Sequence, residues 1–230
     1  MKRGYDIKMK ELTVEEYVYE IVPGILEKEW DSIEEKLEQA KKFAKTVHID
    51  LIDGKFASNT TFMDPAPFAK YSKDLILEVH MMVEDPRKYL KPFAEAGFTR
   101  FLGHIEKMPS VSDFVAEAQL YGEVGIALDG PTDKSIVDTI PLSDLDCVTV
   151  YTCQQVGFTG AQFDERKLDK VRLIKTRSQI PVEVDGGVKD TTILFGKSAG
   201  AVRFVATSFI WNAQDPKVAY ERLRSIVADH

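Results

Sequence analysis

The chain has 230 residues, 44% of them hydrophobic, and a formal net charge of -7. That length suits one large domain or two small ones. The acidic balance argues against nucleic-acid and anionic-membrane partners. No apolar run approaches the roughly 20 residues needed to cross a bilayer, and the N-terminus lacks an apolar signal core, so a cytoplasmic protein is expected.

Residues 1–18 are polar and charged and read as an N-terminal arm. Residues 20–25 read as a first strand. Asp31 or Ser32 can cap a helix to about residue 45, with Ile33, Leu37, Ala40 and Phe43 on its apolar face. A second strand covers 47–52 and ends at Gly54. A polar loop (57–67), a short helix (68–73) and a third strand (75–80) follow. Pro86 opens a helix through residue 96, and Gly97 stops it. Strand 99–104 is followed by a helix from Ser110 or Ser112 to 121, then by strand 124–128. Thr132 caps a short helix to 139. Strand 146–151 leads into a long loop with Gly157 and Gly160. Helix 164–177, strand 181–184, helix 189–197, strand 201–206 and a last helix from Asp215-Pro216 to about 227 complete the chain.

Strict strand–helix alternation predicts a parallel sheet. Eight units without a low-complexity linker predict one closed α/β domain, a (β/α)8 TIM barrel over 19–230. An open doubly wound sheet would carry G-x-G-x-x-G after its first strand, and none is present. In a barrel, chemistry sits at the C-terminal strand ends.

Those ends carry chemistry-bearing residues. Val47-His48-Ile49-Asp50-Leu51-Ile52-Asp53-Gly54 puts His48 and Asp50 on one face, because strand side chains alternate. A buried carboxylate beside an imidazole is costly unless paired or bound to metal. His80 and Asp185 end two further strands. Two histidines and two aspartates from three strands make a divalent-metal site with acid/base capacity. Asp53 reads as a turn residue bracing Gly54, and His104 as a hydrogen-bonding or packing neighbour. Cys147 and Cys153, the only cysteines, match no common zinc spacing and are expected to stay reduced.

Taken together, His48-Ile49-Asp50-Leu51-Ile52-Asp53-Gly54, Val79-His80-Met81-Met82-Val83-Glu84-Asp85-Pro86 and Val184-Asp185-Gly186-Gly187-Val188 resemble the ribulose-phosphate 3-epimerase family, from about Ile21 to Trp211. The resemblance implies that His48, Asp50, His80 and Asp185 bind one divalent ion (Zn, Fe, Mn or Co) and that Asp50 and Asp185 are the acid/base pair. It implies a sugar-phosphate substrate that touches Met82. The phosphate would be held by Gly157-Phe158-Thr159-Gly160, which is similar to the family's Gly-Phe-Gly-Gly loop, and by Gly186-Gly187 and Thr207-Ser208. Glycines let backbone N–H groups reach phosphate oxygens there.

The chain departs from the family pattern at several points. Gly24 and Glu27 stand where serines are usual, Ile52 and Tyr151 where methionines are usual, and Thr207 where a glycine is usual. The loop after Tyr151 lacks the family's Asn-Pro-Gly and is one residue longer. The activity the resemblance implies is 3-epimerisation of ribulose 5-phosphate to xylulose 5-phosphate. The alternatives are a six-carbon ketose phosphate such as allulose 6-phosphate, or a non-catalytic sugar-phosphate binder. A homo-oligomer is possible on this reading, and neither nucleic acid nor membrane is a partner. The Asp-x-Lys-x-x-Asp pattern of metal-independent lyases of the phosphate-binding barrels is absent.

Overall fold

Parallel strands in strict sequential order leave no free sheet edge when the last pairs with the first. The computed structural model, which describes residues 19–229, has this closure. Strands β1 (Glu20–Ile25), β2 (Thr46–Ile52), β3 (Ile76–Met82), β4 (Phe98–His104), β5 (Glu123–Leu128), β6 (Cys147–Tyr151), β7 (Val182–Asp185) and β8 (Arg203–Ala206) form one closed barrel. β8 pairs back onto β1. The expected N-terminal arm lies outside the described residues.

The crossovers carry α1 (Trp30–Ala40), α2 (Arg87–Glu95), α3 (Val111–Ala118), α4 (Asp169–Arg177) and α5 (Ile193–Ala199), and α6 (Ser208–Trp211) and α7 (Pro216–Asp229) follow β8. Each α-helix turns an apolar stripe onto the barrel; in α1 it is Ile33, Leu37 and Ala40. Outward-facing strand residues meet these stripes in one continuous core. There Phe68, Phe93 and Phe98 pack edge to face at 4.9–5.2 Å.

Several element ends differ from the sequence expectation, for local reasons. Two crossovers hold only 3-10 turns, Ala66–Tyr71 and Lys134–Thr139. In the first, Pro65 stands at the cap and Pro67 in the first turn, where proline is tolerated because no intrahelical N–H donor is needed. In the second, Asp133 is the cap, its Oδ1 accepting from the Ser135 N–H at 2.8 Å. Thr132, the expected cap, instead donates its hydroxyl to Glu106. α1 begins after Glu29 and stops at Ala40; Phe43 continues its apolar spacing past the true end. A 3-10 turn, Glu165–Leu168, leads into α4. α5 starts at Ile193 rather than 189. The Thr192 hydroxyl accepts from Lys189 N–H at 3.0 Å and donates to the Gly187 carbonyl at 2.9 Å, which holds a turn open there. Ser110 does cap α3, accepting from Asp113 N–H at 3.3 Å.

Inside the barrel, period-two alternation stacks side chains in layers. The lower layer is ionic. Arg203 ion-pairs with Glu78, with Glu183 (2.9 Å) and with Glu20 (3.0 Å), and Arg100 Nη1 donates to Glu78 at 3.0 Å. Glu78, Glu183 and Arg203 are all buried. This layer is the floor on which the site stands.

Candidate active site

β2 delivers His48 and Asp50, β3 delivers His80 and β7 delivers Asp185. Register sets their heights: Asp50 lies beside His80 across β2/β3, and Tyr151 beside Asp185 across β6/β7. The strand ends are fixed by hydrogen bonds. Thr61 Oγ1 accepts from Ile52 N–H at 2.9 Å and donates to the Asp50 carbonyl at 2.8 Å. Thr152 donates from its N–H (2.7 Å) and its hydroxyl (2.9 Å) to the Asp185 carbonyl. Asp53 braces the turn as expected, accepting from Lys55, Phe56 and Glu84 N–H groups at 2.8–3.0 Å.

All four residues are buried and converge. One ligand-type atom from each of His48, Asp50, His80 and Asp185 lies within 4.8 Å of the other three. His48 Nε2 is 3.4 Å from Asp50 Oδ1 and 3.8 Å from Asp185 Oδ2. His80 Nδ1 is 3.0 and 3.4 Å from the same two carboxylates. These edges suit a cation with bonds of about 2.1 Å, for which a tetrahedral edge is about 3.4 Å. His48 supplies a sharper test. Its Nδ1 is spent on Glu78 Oε1 at 2.6 Å, while its buried Nε2 has no hydrogen-bond partner and aims into the cluster. A neutral imidazole anchored in this way presents a lone pair, as metal ligation requires. The cluster could therefore hold a metal ion.

The cation-free electrostatics separate the two acids. Burial raises the Asp185 carboxyl to about 6, with the Asp50 charge adding to the rise and His48 and His80 opposing it. Burial pushes Asp50 up as well, but the imidazoles of His48 and His80 beside it outweigh burial and hold Asp50 at about 2. Burial likewise opposes the charged form of His48, yet the neighbouring Asp50 and Glu78 carboxylates raise it well above its ordinary value. A proton and a cation thus compete for the same His48 nitrogen.

Above the cluster opens a narrow cleft. Asp50 and Asp185 line its floor. Every residue expected to contact substrate or phosphate also lines it: Met82, Gly157, Phe158, Thr159, Gly160, Gly186, Gly187, Thr207 and Ser208. Gly186 and Gly187 have φ of +99° and +68°, and a Cβ on Gly187 would meet Phe163 N at 2.7 Å, so this turn requires glycine. Met82 and Tyr151 line it on the apolar side, packed with Ile52, Cys153 and Val156 in one small buried cluster. Tyr151 donates its hydroxyl to the Gln155 carbonyl at 3.2 Å.

Two departures from the family pattern compensate each other. A Cβ at Gly24 would stand 2.3 Å from Thr207 Oγ1, so the absent β1 side chain makes room for the added β8-end side chain. Glu27 is outside the cleft and pairs with Lys36. His104 does not join the metal-type cluster; its Nε2 lies 2.9 Å from His80 Nε2. Cys147 and Cys153 are both free thiols.

The sequence reading missed Glu78, Glu183 and Arg203, which support His48 from below, and Glu106 beside His104. Parity carried the signal for Glu78 and Glu183, each two residues before an inward site residue on its own strand, and Arg203 stands beside Glu183 across β7/β8.

The fold and the site define a class, a (β/α)8 barrel with a metal-competent acid cluster at its C-terminal face. Within that class the chain belongs to the ribulose-phosphate 3-epimerase family of isomerases, whose model matches residues 20–211. The ribulose-phosphate 3-epimerase of Bacillus subtilis is 30% identical over 213 residues, covering 89% of this chain and 97% of that one. The cytoplasmic isoform from Oryza sativa subsp. japonica is 30% identical over 217 residues, covering 90% and 93%. Solved structures show the fold again at lower identity. A 3-hexulose-6-phosphate synthase matches with TM-score 0.71 and 21% identity over 90% of this chain and 99% of that one. The 3-keto-L-gulonate-6-phosphate decarboxylase of Vibrio cholerae matches with 0.66 and 15%, over 92% and 98%. Among the described residues, no helix is long and apolar enough to cross a membrane.

Proposed function

We propose that the protein interconverts ribulose 5-phosphate and xylulose 5-phosphate by epimerisation at carbon 3. The observation that carries this reading is the pair Asp50 and Asp185. They reach one cleft from β2 and β7 with two histidines between them. Inverting a carbon next to a carbonyl requires one group to take a proton from one face and another to return a proton to the opposite face. Asp50 and Asp185 serve as those two groups.

His48, Asp50, His80 and Asp185 would hold the divalent ion. When bound, that ion supplies charge stabilisation for the oxygens that become negative as the carbon-3 proton leaves. The chain's own residues do the rest. Backbone N–H groups of 157–160, Gly187 and Ser208 grip the phosphate and set the distance from it to the reacting carbon. Ile52, Met82 and Tyr151 keep water off the reacting face.

Incubation with ribulose 5-phosphate in deuterium oxide tests the proposal. Deuterium should enter carbon 3 as xylulose 5-phosphate forms. Chelation should stop both processes, and added Zn²⁺, Mn²⁺ or Co²⁺ should restore them. Full turnover in demonstrably metal-free protein would remove the metal from the reaction, and preferential turnover of allulose 6-phosphate would reassign the substrate.

The phosphate grip makes its own prediction. Remote binding energy positions the reacting carbon, so unphosphorylated ribulose should suffer in kcat as well as KM. Equal kcat/KM for ribulose and its phosphate ester would show that the 157–160 loop and the Gly186-Gly187 turn hold something else.

A further inference from the structure

His80 has two ring nitrogens, and only Nδ1 faces the carboxylates. Nε2 continues into a line of polar groups on the far side of the ring. It meets His104 Nε2 at 2.9 Å, and His104 Nδ1 meets Glu106 Oε2 at 3.0 Å. His104 is fully buried, with its ring stacked on His80 at 4.9 Å and packed against Phe56 at 4.7 Å. Glu106 is held from behind: its Oε1 accepts from Asp129 N–H at 2.6 Å and from the Thr132 hydroxyl at 2.7 Å. Lys170 Nζ donates to the carbonyls of Asp129 and Gly130 at 2.6 and 2.9 Å, which anchors the loop carrying those donors.

Counting donors fixes the direction of the line. An ionised carboxylate only accepts, so Oε2 takes the proton of His104 Nδ1. A neutral His104 protonated there has its lone pair on Nε2, where the one donor in reach is His80 Nε2–H. A neutral His80 protonated on Nε2 has its lone pair on Nδ1, directed between Asp50 and Asp185. We propose that Glu106 and His104 are positioning residues that fix the tautomer of His80 and keep its Nδ1 lone pair free for the divalent ion. The inference rests on the reading of the four-residue cluster as a metal site. A ligating histidine ordinarily hands its second N–H straight to a carboxylate or a carbonyl; here an imidazole carries the acceptor inward from Glu106.

Three measurements on the full chain test it. Histidine ¹⁵N spectra of the zinc-loaded wild type should place the ring proton of His104 on Nδ1 and that of His80 on Nε2. A His104 proton on Nε2 overturns the assignment, and this measurement needs no variant. Second, Glu106→Gln leaves one acceptor oxygen for three donors. With that oxygen kept on Asp129 and Thr132, the new NH₂ faces His104 Nδ1 and reverses the line. Zinc affinity, read by competition with a chromophoric chelator, should fall roughly 10–100-fold. Excess zinc should restore kcat, and the KM for sugar phosphate at saturating zinc should stay unchanged.

Third, His104→Leu should lose as much zinc affinity as Glu106→Gln, and the double variant should lose no more than either, because the residues act in one line. Folded variants with zinc affinity within twofold of wild type, or losses that simply add, overturn the proposal. If the wild type binds none of zinc, iron(II), manganese or cobalt, the metal reading falls and takes this inference with it. If the wild type binds and the variants bind equally well, only this inference falls.

Discussion

Asp185→Asn is expected to lower epimerisation by roughly 10²–10⁴-fold, the contribution of one positioned acid/base group. The substitution keeps an oxygen that can face a cation and removes the proton-transfer function. The backbone should stay in place, because Thr152 grips the Asp185 and Gly186 carbonyls rather than the carboxylate. What survives is as informative as what is lost. Asp50 still addresses one face of carbon 3, so one epimer should go on exchanging its proton with solvent while the other falls silent. Asp50→Asn should give the mirror pattern. Metal content must be equal in both variants, since loss of the ion would silence both exchanges. Equal exchange of both epimers by either metal-loaded variant would sink the two-acid assignment. The two carboxyls already differ in the cation-free protein, Asp185 pushed up to about 6 and Asp50 held at about 2.

The site was legible because strands have a period of two. His48 and Asp50 share a face whatever the rest of the chain does, and the glycines after Asp185 mark a strand end. The same rule exposes Glu78, two residues before His80, and Glu183, two before Asp185. A lone charge in an apolar strand suggests an edge or a surface, and only barrel closure shows that these acids share one counter-ion, Arg203. Gly24 and Thr207 are individually visible as departures. Their compensation is not, because β1 and β8 meet only after the whole chain has closed. Helix ends were obscured by side chains doing tertiary work. Thr132 looks like a cap but serves Glu106, and Thr192 holds a turn where the apolar pattern already reads as helix.

Arg203→Met is expected to destabilise the fold by about 3–5 kcal/mol, the cost of stranding buried charges that have lost their partner. In a domain of this size that corresponds to a fall in Tm of roughly 6–20 °C. Arg203 contacts Glu78, Glu183 and Glu20. Without it, Glu78 retains Arg100 at 3.0 Å, whereas Glu183 retains only the Thr149 hydroxyl at 3.0 Å and the more distant His48. Burial already pushes Glu183 up to about 7, with Arg203 opposing that rise and Glu78 adding to it. Removing the guanidinium raises it further, while the unfolded value stays near the ordinary carboxylate range. A carboxyl with a raised folded pKa binds its proton more tightly in the native state. Its stabilising contribution is complete below the unfolded value and is lost as pH rises through the folded one. The deficit of Arg203→Met relative to wild type should therefore widen between pH 6 and pH 8, by up to about 1.4 kcal/mol per pH unit for each proton involved. Adding Glu183→Gln should recover part of the loss and flatten its pH dependence. Denaturant midpoints of the three proteins at the two pH values decide the matter, and wild-type stability in Arg203→Met, or a deficit that does not change with pH, would contradict it. The same floor carries His48, through Glu78. Variants that loosen it should weaken cation binding even where the protein remains folded, which ties the stability of the lower layer to the chemistry of the upper one.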